Sequence, residues 1–174
     1  MQRNGFTLIE LMITIAIAAI LLTITIPNLL GLVIQNRITT QTNELITDLA
    51  VAKSAAIQRG VRVAVCIRNT AGSDCNSGGA WTDGWIVFTD SNAAGSSGVV
   101  DAGETILKAH EALPSGLTLA TAGFATAAVI TYLPSGTVTS NGTFTLCKSS
   151  YIGRNVEITT TGRSSATKTA SACP

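Results

Sequence analysis

From Phe6 to Ile26 the chain carries one charged side chain, Glu10, in an otherwise apolar run, FTLIELMITIAIAAILLTITI. About 20 apolar residues suffice for a helix to cross the ~30 Å hydrocarbon core of a bilayer. The mean hydropathy of the chain is +0.40, and the apolar excess sits in this run. Glu10 is the difficulty, because a carboxylate in hydrocarbon is costly and tends to mark function. A secretory signal peptide fits Arg3 as a minimal basic region and Ala16-Ile17-Ala18 as a small-residue cleavage site. Cutting there leaves the apolar Ala19 to Ile26 on the product. A plain N-terminal anchor accounts for the length of the run but not for the acid.

The helix is expected to continue past Pro27 and Gly31, with Pro27 removing one backbone donor and able to kink it. Beyond it Ile38, Leu45, Leu49, Ala52 and Ala56 recur at helical spacing, with Arg37, Gln41, Glu44, Asp48 and Arg59 mostly off that face. Gly60 is the expected stop, giving a helix of about 80 Å at 1.5 Å per residue. The period then changes to two. Val61, Val63, Val65 and Ile67 alternate with Arg62, Ala64, Cys66 and Arg68, and Gly84–Thr89 is a second strand. Glu104–Lys108, Leu117–Ala120, Ala128–Leu133, Thr143–Cys147 and Asn155–Thr160 are further strand candidates, separated by Gly, Ser, Asn and Pro. The natural assembly is an α+β fold, a long N-terminal helix on an antiparallel, hairpin-connected sheet.

The four cysteines, Cys66, Cys75, Cys147 and Cys173, allow three pairings into two disulfides. Cys66 with Cys75 and Cys147 with Cys173 is the simplest: one closes a short Gly/Ser loop, the other pins the C-terminus. A zinc site lacks CxxC spacing. His110 is the single histidine, in a Lys-Ala-His-Glu context that suits a surface or sheet residue better than a general base. No nucleophile triad, phosphate loop or HExxH is present, so no enzyme, cofactor or metal is expected. Asp90, Ser91, Asn92, Asp101 and Glu104 gather oxygen donors, but without the spacing of a calcium loop, and read as a solvated acidic loop.

Gly5-Phe6-Thr7-Leu8-Ile9-Glu10 ahead of an apolar helix resembles the class III signal of type IV pilins and type II secretion pseudopilins. The short basic leader, the Gly before Phe and Pro27 at the end of the run fit the same pattern. The resemblance implies that residues 1–5 are a leader, cut after Gly5 by a prepilin peptidase, and that Phe6 is N-methylated. Residues 6–33 would be first an inner-membrane helix and then a filament core, and 34–174 a periplasmic head with a basic segment at 148–174. It also implies a partner for Glu10, the Phe6 amine of a neighbouring subunit, so that each desolvated charge is offset and the register is set.

In the head, Ala52–Gly60, then Val63, Val65 and Cys66, then Trp81-x-x-Gly84-Trp85-x-Val87-Phe88-x-Asp90, then Ile106-Leu107, are similar to the GspH/FimT minor pilin family. With the N-terminus, this similarity covers nearly the whole chain. It implies the type IV pilin fold, with other minor and major pilins or pseudopilins as partners. The destination is a cell-surface pilus or a periplasmic pseudopilus. Some FimT-type minor pilins bind DNA through a basic tail with a Gly-Arg-x-Arg motif. Here Gly162-Arg163-Ser164-Ser165 keeps the first half only, and Gly153-Arg154 stands alone. Lys168 adds charge but not a guanidinium fork. No aromatic lies beyond Tyr151 for base stacking. Two jobs are therefore implied. One is a DNA-uptake subunit holding the phosphates of double-stranded DNA through Lys148, Arg154, Arg163 and Lys168. The other is a structural pseudopilin, of the protein H type, with no nucleic-acid role.

Overall fold

In the computed structural model of the protein, residues 6–91 and 98–174 are described, with the backbone alone for 24–28. Helix α1 (Leu8–Arg59) is followed by β1 (Arg62–Ile67), β2 (Trp85–Asp90), β3 (Ile106–His110) and β4 (Thr118–Ala122). Then come β5 (Val129–Tyr132), β6 (Gly142–Cys147), β7 (Ile152–Ile158) and β8 (Ser164–Ala172). The chain divides into two compact units, Met1–Asn36 and Arg37–Pro174.

In the first unit, the apolar residues from Phe6 to Val33 whose side chains are described are exposed on every side of α1. Among the described residues, no helix is long and apolar enough to cross a membrane.

The second unit is a head of two four-stranded antiparallel sheets, ordered β3-β2-β1-β5 and β4-β6-β7-β8, where the sequence suggested one. Its part of α1 buries Ile38, Thr42, Leu45, Leu49, Ala52 and Ala56, a stripe with a mean spacing of 3.6 residues. Thr42 joins the apolar stripe because its hydroxyl donates to the Ile38 carbonyl at 2.7 Å. The helix ends at Gly60, whose φ of +65° favours a residue without Cβ.

Asp48 departs from expectation. The sequence places it off the apolar face, yet it is 0% exposed. The Trp85 indole Nε1 donates to its Oδ2 at 2.9 Å, and the Lys108 ammonium pairs with its Oδ1. Two partners from neighbouring strands thus replace the water that a buried carboxylate loses.

β1 and β2 are buried on both faces, which simple alternation does not suggest. Register places Val65 opposite Val87 and Ile67 opposite Trp85, on the face that carries the Trp85–Asp48 bond. Ala64, Cys66, Ile86 and Phe88 form a second core on the other face, with Cys75, Val100, Ile106 and Val129 packed against it. The Cys66–Cys75 disulfide draws the connection after β1 onto that core.

The last strand is the largest departure from the sequence reading. Ser164–Ala172 has too little apolar content to suggest a strand, and it forms the edge strand beside β7. Two constraints hold it. The Cys147–Cys173 disulfide fixes its end, and the Thr169 hydroxyl accepts from the Gly153 N–H at 2.9 Å where the register shifts. Removing that disulfide as Cys147→Ser with Cys173→Ser frees a loop of 26 residues. The expected loss is about 3.5 kcal/mol of head stability, on the chain-entropy view. A lower urea midpoint for the full chain in detergent micelles is the readout.

Candidate functional site

The assembly residues inferred from sequence lie at the start of α1. Gly5 is outside the described residues, and of Pro27 only the helical backbone is described. Phe6 is 73% exposed. Glu10 has a local role that the sequence reading missed. The Thr7 N–H and hydroxyl both donate to Glu10 Oε2 at 2.9 Å, and the Glu10 N–H donates to Thr7 Oγ1 at 3.3 Å. Thr7-x-x-Glu10 is a capping box, satisfying donors that the first helical turn leaves open. The spacing was visible in the sequence.

The four cations inferred as DNA contacts are not gathered on one surface. Arg154 and Lys168 face each other across β7 and β8. Arg154 shares its sheet face with the buried Val156 and reaches α1, its Nη2 donating to Thr39 Oγ1 at 3.4 Å. Lys148 precedes β7 and lies over Gly116, whereas Arg163 is exposed in the hairpin beyond the far end of β7. Both glycines of the Gly-Arg pairs have structural reasons. A Cβ on Gly153 would sit 2.8 Å and 3.0 Å from the Cys173 and Cys147 sulfurs. Gly162 has φ +69° in the β7–β8 turn, with its α-carbon against the Gly136 carbonyl and the Tyr132 ring.

The acidic loop spends its carboxylates internally. Glu104 accepts the Ser91 N–H at 2.9 Å and the Asp101 N–H at 3.0 Å. Asp90 pairs with Arg62 at 3.2 Å. Burial pushes the Asp90 carboxyl above the usual carboxylate range; Arg62 opposes that shift, while Glu104 and Asp101 add to it. Asn92 is outside the described residues, and among the described ones no three His, Cys, Asp or Glu side chains are placed to hold a metal. His110 lies on β3, stacked on Trp85 with its Nε2 at Glu44.

Comparison with known proteins agrees with this geometry. Residues 41–162 match the family described as Type II transport protein GspH, and residues 1–26 match the Prokaryotic N-terminal methylation motif. The fold is similar to the crystal structure of the Pseudomonas aeruginosa (strain PAO1) type IV minor pilin FimU. That likeness has a TM-score of 0.58 at 19% identity, covering 80% of this chain and 97% of that one. The minor pseudopilin EpsH of the Vibrio cholerae Type 2 Secretion System is similar at TM-score 0.51 and 16% identity, covering 76% and 95%. At these identities the likeness speaks to the fold. No curated protein matches the sequence significantly.

The roles of glycine and arginine in the hairpin are separable. Gly162→Ala forces a side chain into a left-handed turn beside a carbonyl and is expected to cost more than about 1 kcal/mol. Arg163→Ala, on an exposed side chain, should stay within about 0.5 kcal/mol. Urea unfolding of the two variants side by side is the check.

Proposed function

We propose, given that this chain belongs to the GspH family of type II transport proteins, that it is a minor pilin or pseudopilin whose work is assembly. Residues 6–33 serve first as an inner-membrane helix and then as its contribution to a filament core. A prepilin peptidase cuts after Gly5, and the new Phe6 amine is methylated. The observation that supports this reading is the apolar first half of α1, exposed on every side and without a polar face of its own. Such a helix needs lipid or other helices around it. Glu10 then has two successive partners: its own Thr7 in the uncut chain, and the Phe6 amine of a neighbouring subunit in the filament.

A second reading, phosphate binding by the C-terminal segment, has one observation in its favour: Arg154 and Lys168 stand directly opposite each other across β7 and β8. The scattering of Lys148 and Arg163, and the engagement of Arg154 with Thr39, favour assembly instead. A gel shift with duplexes of unrelated sequence decides between them. The assembly reading expects no retardation at physiological salt. Retardation that Arg154→Ala with Lys168→Ala removes would move the conclusion to DNA.

The assembly reading is tested by separating cap from charge at position 10. Glu10→Gln keeps the capping pattern, since Gln also serves at the third helical position, but has no charge for the amine. Thr7→Val breaks the cap and keeps the charge. Incorporation into sheared filaments is expected to fall at least tenfold for Glu10→Gln, about the effect of losing one charge-assisted bond. Thr7→Val should incorporate nearly as the wild type. Equal incorporation of Glu10→Gln and wild type would remove the charge pairing from the account.

A further inference from the structure

Arg68 follows β1, and its guanidinium lies in a cleft of about 290 Å³ walled by Asn69, Thr70, Asn76, Asp83 and Glu111. The disulfide loop builds this cleft. Cys66–Cys75 ties the ends of the loop together, and Arg68 bridges to Cys75. Gly72 lays the loop backbone on the guanidinium, where a Cβ would stand 3.0 Å from Nη2. The Arg68 side chain is only 10% exposed. A charge that is mostly removed from water is costly unless its donors are met.

A guanidinium carries five N–H groups. Nε donates to the Asn69 carbonyl at 3.3 Å, Nη2 to the Thr70 carbonyl at 3.4 Å and Nη1 to the His110 carbonyl at 3.5 Å. Nη1 also pairs with Glu111 Oε2. The fifth N–H, on Nη2, has no partner among the described residues. Glu111 therefore takes one prong of a fork shaped for both oxygens of a carboxylate. Its own side chain is 84% exposed, so it reaches the guanidinium from the solvent side. Ion pairs held that way contribute little and are readily exchanged.

Two further walls of the cleft have unspent polar groups. Asp83 Oδ2 accepts the Ala80 N–H at 3.0 Å, and Oδ1 has no partner among the described residues. Asn76 Oδ1 accepts the Gly78 N–H at 3.2 Å, which leaves its amide N–H groups free to donate. A bare anion entering here would meet Asp83, and a bare cation would meet Arg68. A ligand carrying both charges satisfies both walls. We propose that the cleft binds a small zwitterion, a free amino acid or a short peptide. Its carboxylate takes Arg68 Nη2 and the Asn76 amide, and its ammonium takes Asp83. Glu111 is the resident stand-in that the ligand's carboxylate displaces. This inference is independent of the filament reading.

The test uses the full chain in detergent micelles and follows the Arg68 Nε–H resonance. Alanine or alanylalanine is expected to move it to saturation by about 100 mM, and the tighter of the two distinguishes a free amino acid from a peptide. N-acetylalanine, which lacks the ammonium, should bind about tenfold more weakly, the effect of losing one charge-assisted bond. Glu111→Gln removes the competing charge and should tighten zwitterion binding by up to about fivefold. Asp83→Asn keeps an oxygen for the Ala80 N–H and should erase the preference for the zwitterion over N-acetylalanine. Both substituted side chains are exposed, so neither change threatens the fold. Equal binding of N-acetylalanine and the zwitterions by wild type overturns the proposal. So does a resonance that sodium chloride moves as far as alanine does, or one that neither zwitterion moves in wild type or Glu111→Gln.

Discussion

Asp48 carries a charge where there is no water, and the seating of helix on sheet follows from how that charge is met. The buried stripe of α1 repeats every 3.6 residues and is made of Ile, Leu, Ala and one Thr. Such a stripe supplies burial but little register, because a shift by one turn sets similar side chains against the same sheet. A carboxylate that must meet both an indole N–H and an ammonium group has one position. A shift would strand three polar groups, and breaking a buried pair costs about 3–5 kcal/mol. The apolar stripe gives the contact its strength, and Asp48 its alignment. Trp85, in register with His110, carries that alignment out to the edge strand.

The first part of α1 has no comparable internal partner. Its apolar side chains are exposed all round, so whatever solvates them comes from outside the chain. The acid at its start is provided for locally. Thr7 offers two donors to one oxygen of Glu10 and takes back the Glu10 N–H, so the carboxylate is hydrogen-bonded within its own helical turn. Hydrogen bonds of this kind lower the penalty a carboxylate meets on leaving water. A hydroxyl and an amide are weaker partners for a carboxylate than a charged group, so the cap leaves Glu10 able to change partners.

Periodicity made the long helix, its stop at Gly60 and seven of the strands legible, because those elements bury apolar residues at helical or alternating spacing. It failed where burial is carried by something other than apolar side chains. Asp48 reads as a surface residue until its two partners are known, and they lie 37 and 60 residues away in the chain. Ser164–Ala172 reads as a soluble tail, because its order comes from pairing to β7 and from a disulfide rather than from a core face. Ala64 and Cys66 gave no sign of a second core, since its cover includes Cys75, which the disulfide brings there. The Thr7-x-x-Glu10 cap is different: its partners are three residues apart, so its spacing is readable in the sequence.

The uneven charge of the chain turns out to be largely spent within it. Residues 74–111 hold six acids against the one basic Lys108, and most of those acids go to internal partners. Asp74 accepts the N–H groups of Cys75 at 2.7 Å and Val100 at 2.9 Å, Glu104 accepts two more, and Asp90 and Glu111 pair with Arg62 and Arg68. In the basic C-terminal segment, Arg154 reaches Thr39 with Lys168 opposite it across β7 and β8, while Lys148 and Arg163 lie beyond opposite ends of β7. Charges committed to holding loops and strands in place cannot also form a dense patch for a polyanion, which needs several phosphate contacts at once. Among the described residues, the large surface that stays exposed is the apolar first part of α1. A surface of that kind is covered by other apolar surfaces rather than by a polyanion.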